Sequence, residues 1–220
     1  MTEKRKLGSL HIAVYLIIFF AIWTVRELVI QPVFLSSLDA LMQQILGQTI
    51  KLLVWTLPAI LLIRHFRDDM LVGLKEMFFT KPQWFKDAYI LLLVFVPFLG
   101  AWIASGQIAI DPDLEPTRLI GAVFFVGITE EIVFRGFLLN AFLKRMKMPY
   151  AVALDAVLFT LIHYPIWIYR GHDFSVFLTN SIAVLLISAF FAYSFIKTRN
   201  ILVPIALHMI WNLLTIVFVR

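Results

Sequence analysis

Ten residues in the middle of this 220-residue chain, Gly127-Ile128-Thr129-Glu130-Glu131-Ile132-Val133-Phe134-Arg135-Gly136, put three ionisable side chains into an otherwise apolar stretch. Glu131 and Arg135 are spaced i,i+4 with the acid first, the favourable order for an ion pair along a helix. Adjacent helical residues point about 100° apart, so Glu130 faces elsewhere and has to find its own partner. Further along, His163 closes Phe159-Thr160-Leu161-Ile162-His163, and His208 and Asn212 stand i,i+4 in His208-Met209-Ile210-Trp211-Asn212. A carboxylate with an imidazole can hold and deprotonate a water. A second imidazole with an amide can stabilise an oxyanion. Glu130, His163 and His208 could equally ligate a divalent metal such as zinc with an open position. No His-Glu-x-x-His helix supports the ordinary zinc-protease arrangement.

The elements that must position these groups are membrane helices. Hydrophobic residues make up 61% of the chain and charged residues 15%, against roughly 45–50% and about 25% in soluble domains. Charge-free runs at Leu7–Val25, Ala88–Ile110, Phe174–Ile196 and Asn200–Val219 are each long enough to span a bilayer as helix, at about 20 residues. Without period-2 alternation a barrel is not indicated. The reading is an all-α, polytopic helical bundle with about seven transmembrane helices, near 8–25, 46–63, 88–106, 117–143, 150–169, 175–196 and 200–219. The second is the least regular, because Gln48 and Lys51 fall inside it. The N-terminal run is too long for a signal-peptide core, and no small-x-small site follows it, so it reads as a retained first span. The chain reads as a single membrane domain, 1–220, with its motif-bearing core at about 117–219.

Charge distribution tests the count. With a cytoplasmic N-terminus, the inner segments hold 13 Lys and Arg and the outer side holds 4 (Arg26, Arg118, Arg170 and Arg220); Lys51 and Arg135 inside spans complete the 19. That asymmetry is the positive-inside bias. The net charge of +5 is accordingly topological and no nucleic-acid footprint. The expected location is the cell membrane, multi-pass. Zero cysteines exclude disulfides and thiolate metal sites. Between the second and third spans, Met70–Phe85 mixes large apolar residues with Lys75 and Lys81, which fits an interfacial amphipathic helix limited by Pro82. At about 1.5 Å per residue from the inner end, Glu130 and His163 lie roughly 20 Å deep, Asn212 roughly 18 Å and His208 roughly 12 Å. Three helices therefore bring polar groups to comparable depth, where ionisable residues signal function. Gly136 is expected to let a neighbouring helix approach closely. Asp155 reads as a helix-end or supporting group, Phe159 as packing beside His163, and Lys51 as a snorkelling or helix-pairing cation.

At these positions the sequence resembles the CPBP family (CAAX protease and bacteriocin-processing, or Abi, proteins), which includes the type II CAAX prenyl endopeptidases. The likeness rests on Glu-Glu-x-x-x-Arg at Glu130, Glu131 and Arg135, Phe-x-x-x-His at Phe159 and His163, and His-x-x-x-Asn at His208 and Asn212, in that order. It implies an intramembrane endopeptidase in which Glu130 and His163 activate water. His208 and Asn212 would stabilise the oxyanion, with Glu131, Arg135 and Phe159 supporting. The short chain resembles the prokaryotic branch, some of whose members act in bacteriocin immunity, and prenylated substrates are not carried over. The implied partners are a peptide or membrane-protein substrate and the lipid bilayer, with no nucleic acid. Two other classes compete: a catalytically silent binding or immunity protein, and a proton-coupled transporter using Glu130 and the histidines as a relay. The absence of an inverted repeat and of paired broken helices weighs against transport, and the intact set of motif positions weighs against a silent binder.

Overall fold

A computed structural model describes residues 6–82, 89, 90, 92–97, 99, 100, 117 and 119–218. Among them there is no strand, and seven helices account for the architecture. These are α1 (Ser9–Ser37), α2 (Ala40–His65), a short α3 (Leu74–Phe79), α4 (119–143), α5 (Met148–Tyr169), α6 (Phe174–Thr198) and α7 (Leu202–Phe218). Helices α1, α2, α5 and α6 are long and apolar enough to cross a membrane, and α7 is a shorter apolar helix. The chain is a multi-pass, all-α membrane protein. Its lipid-type surface is lined by side chains such as Leu10, Ile17 and Leu186, while Glu27, Lys51, Glu130, Glu131, Arg135, Asp155 and His208 are buried. This inversion is what a bilayer selects, because charged groups on the lipid side are expensive.

The first two spans are longer than the sequence suggests: 9–37 instead of 8–25, and 40–65 instead of 46–63. Each contains a π-helical turn, at Arg26–Ile30 and Leu52–Thr56. A proline follows each, Pro32 and Pro58. A proline ring collides with the carbonyl four residues back, here Leu28 and Val54, and a widened turn accommodates it. Asp39 caps α2, its carboxylate accepting from the Met42 N–H at 3.0 Å, which lets the helix start ahead of the glutamines Gln43, Gln44 and Gln48. Of the expected third span, 88–106, residues 89, 90, 92–97, 99 and 100 are described and the other nine lie outside the described residues. Of the expected amphipathic segment 70–85, only Leu74–Phe79 is helical, and 83–85 are likewise outside.

Two clamps fix the bundle on the side of α3. Asn140, fully buried, donates through Nδ2 to the carbonyls of Val72 (2.8 Å) and Gly136 (3.0 Å) and accepts the Val72 N–H at 2.8 Å. Asn200 donates to the Thr80 carbonyl at 2.6 Å and accepts from the Leu202 N–H that starts α7. Between these clamps lies an apolar core that includes Phe19, Trp23, Trp55, Ile63, Phe134, Phe137, Phe159 and Phe195. Close helix approach occurs at Gly127: a Cβ there would stand 2.9 Å from Met209 Cγ and 3.5 Å from the Ile205 carbonyl on α7. At Gly136, expected to serve that purpose, a Cβ would meet the side-chain ends of Ile63 and Met77 at 3.7 Å, an ordinary packing distance.

Candidate active site

Helix α4 carries Glu130 and Glu131 at the junction of an α-helical segment, Val126–Glu131, and a π-helical one, Ile132–Leu139. Such π segments recur at functional sites. The Glu131–Arg135 pair forms as its spacing predicts: Arg135 Nη1 donates to Glu131 Oε1 at 3.1 Å, with both side chains completely buried. Arg135 also reaches across the bundle. Its Nη2 donates to the carbonyl (2.8 Å) and hydroxyl (2.6 Å) of Ser188 on α6, and its Nε lies 3.5 Å from Asp155 on α5. Its guanidinium stands 4.5 Å from the Phe159 ring centre, a cation–π contact in a dry environment. Arg135 is thus the tie of α4, α5 and α6, and Asp155 a supporting anion.

His208 on α7 meets both glutamates. Its Nδ1 donates to Glu131 Oε1 at 2.8 Å, and its Nε2 lies 4.0 Å from Glu130 Oε2. A carboxylate engaged by Arg135 can only accept, which assigns the His208 proton to Nδ1. The ring is held between Phe159 (5.8 Å, edge-on) and Phe191 (5.0 Å, stacked). Gly127 makes this possible, because without a Cβ α7 can lie close enough to present His208 one helical turn further along α4.

His163 arises from a break. Helix α5 interrupts after Leu161 and resumes at Tyr164, leaving Ile162 and His163 as a turn. Pro165 stands at the start of the second segment, where its missing N–H is harmless. The ring Nδ1 of His163 donates to the Phe159 carbonyl at 2.9 Å, so Nε2 is the atom left for chemistry. The Phe159 ring lies 5.2 Å from the His163 ring and 5.8 Å from the His208 ring, which sets both imidazoles beside one aromatic side chain. Asn212 is one turn beyond His208, and its Nδ2 donates to the Ala122 carbonyl at 2.8 Å, in the π-helical stretch Leu119–Phe125 that precedes the glutamates.

Lys51 has more to do than sequence reasoning assigned it. Its Nζ stands 3.1 Å from Glu130 Oε1 in a buried ion pair between α2 and α4. Among the described residues no three His, Asp or Glu side chains group so as to hold a metal ion. Lys51 already holds Oε1 of Glu130, so a cation on that oxygen would have to displace it.

A bundle of apolar helices with acids and the His208 imidazole buried between them defines the class: a multi-pass membrane protein with a polar centre. Residues 112–214 match the family model described as type II CAAX prenyl endopeptidase, Rce1-like. That segment, just under half of the chain, holds every motif residue named above and is similar to this family of proteases. No curated protein and no solved structure matches the chain.

Proposed function

We propose that the protein is an intramembrane endopeptidase of the cell membrane that hydrolyses a peptide bond with a water activated by Glu130 and His163. The observation that carries this reading is the unpartnered, buried Oε2 of Glu130, facing the Nε2 side of His208 while its other oxygen is held by Lys51. A buried carboxylate oxygen with no partner is costly and suits an acceptor waiting for a proton. His163 Nε2, the second acceptor, matches the second hydrogen of the same water. The water oxygen attacks the carbonyl carbon, and Glu130 takes the released proton. The oxyanion is met by His208, which donates through Nε2 when doubly protonated, and by the remaining N–H of Asn212. On collapse the C–N bond breaks, Glu130 returns its proton to the leaving amine, and the second water hydrogen stays with the new carbonyl group, so the products are a carboxylic acid and an amine.

The substrate class is a membrane protein or membrane-bound peptide. An apolar groove of about 300 Å³ between α1 and α5, lined among others by Phe20, Leu28, Leu161 and Tyr164, flanks the His163 turn and suits lateral approach. The test uses purified protein in liposomes with a peptide library, and compares wild type with Glu130→Gln and His163→Ala. Cleavage by wild type alone, with melting temperatures retained, supports the proposal. Undiminished cleavage by Glu130→Gln, or full biological activity of both variants, overturns it in favour of a binding role.

A further inference from the structure

Lys51 is a cation with no place in the motif that identifies the family segment, and it lies outside residues 112–214. It is 7% exposed, in a helix that continues beyond it with the apolar residues Leu52–Trp55. Three groups hold it. Glu130 Oε1 is 3.1 Å away, and the ring centres of Trp23 on α1 and Trp55 on α2 are each 4.9 Å from Nζ. The two indoles meet each other at 4.2 Å, and the Trp23 N–H donates to the Ile162 carbonyl at 2.8 Å, next to His163. The pocket around the ammonium is therefore built from α1 and α2 and joined to both elements that carry the acid and the first imidazole.

The charges of the centre show why this cation matters. Glu130, Glu131 and Asp155 are three buried acids. Arg135 is committed to Glu131, Asp155 and Ser188, leaving Lys51 as the cation paired with Glu130. A buried carboxylate without a counter-ion is strongly unfavourable. Pairing one oxygen also fixes the carboxylate plane, so that the other, Oε2, is the oxygen free to accept. A point charge between two indole faces is desolvated yet stabilised, and it cannot swing away without leaving both rings.

We infer that Lys51 is a positioning residue for the hydrolytic reaction: by gripping Glu130 Oε1 from a Trp23–Trp55 cage, it keeps the base charged and aims Oε2 at the water. This rests on the endopeptidase reading, and it assigns an essential group to the N-terminal helices. The experiment combines turnover and melting of the full-length protein for wild type, Lys51→Met, Lys51→Arg, Glu130→Gln and the double variant Lys51→Met/Glu130→Gln. Misplacing a reacting group by about 1 Å costs on the order of 100-fold, so Lys51→Met loses kcat by about that factor while KM holds, and Lys51→Arg recovers most of it. In melting, the double variant stands above Lys51→Met, because removing the stranded acid relieves the damage; folding of the double variant where Lys51→Met does not fold makes the same point. Wild-type kcat in Lys51→Met, or melting losses that simply add in the double variant, would overturn the role of Lys51 while leaving the endopeptidase reading intact. A wild type without peptidase turnover overturns both.

Discussion

Replacing Arg135 with leucine removes the cation that two fully buried acids share. In the native bundle the guanidinium contacts Glu131 at 3.1 Å, Asp155 at 3.5 Å and the Ser188 carbonyl and hydroxyl at 2.8 and 2.6 Å, with no exposed surface of its own. Glu131 keeps a bond to His208 after the change, whereas both oxygens of Asp155 already lack a hydrogen bond and would lose their ion-pair partner too. Breaking a buried pair from one side costs about 3–5 kcal/mol. At about 2–4 °C per kcal/mol for a chain of this size, the melting temperature falls by roughly 6–20 °C. The assay is thermal unfolding in detergent by intrinsic fluorescence. Arg67→Ala serves as a control, since the exposed Arg67–Asp68 pair at 3.6 Å is of a kind worth about 0–1 kcal/mol. Adding Asp155→Leu to Arg135→Leu should restore much of the loss, because removing a whole buried pair is often close to neutral. A drop for Arg135→Leu no larger than that of the control, or no recovery in the double variant, refutes the reasoning.

Three further outcomes follow from the same geometry. Gly127→Val forces α7 away from α4 at Met209, and such overpacking costs about 1–3 kcal/mol; lowered melting together with lost peptidase turnover would be seen, and unchanged turnover would contradict the seating of His208 by that contact. Leu161→Trp narrows the groove between α1 and α5 and should raise KM more than it lowers kcat, measured on a membrane-anchored peptide; a pure kcat effect would place substrate elsewhere. Because Lys51 stands on Glu130, incubation with a strong chelator should leave turnover unchanged, and loss of activity restored by zinc would count against the metal-free step.

What could be read from the sequence was local. Glu131–Arg135 is a one-turn relation within a helix, so spacing sufficed. The class of fold followed from composition, because the bilayer leaves few alternatives to helices. Lys51 and Glu130 are 79 residues apart, and nothing in either segment points to the other. The partners of Arg135 on α5 and α6 are equally remote, although Asp155 and Ser188 sit among apolar neighbours. Asn212 was placed with the histidines by depth; its bond to Ala122 depends on where a π-helical stretch leaves that carbonyl, which a regular helical count does not capture. Gly127 makes a tighter contact than the expected Gly136, and residue type alone does not tell the two apart. One missed feature had a visible signal. Pro165 restricts Tyr164 before it, and marks the interruption that leaves His163 on a turn.

The indole hydrogen bond from Trp23 to Ile162 sets a mechanical stop. The Ile162 carbonyl lies at the interruption in α5, and lipid offers no donor to it. The first helix supplies one from the side. Phe20 and Leu28 of that helix also form one wall of the groove whose other wall includes Leu161 and Tyr164. Parting these walls to admit a bulky chain therefore strains the bond that steadies the turn bearing His163. On the endopeptidase reading, a substrate that spreads the two helices would work against the contact that steadies His163.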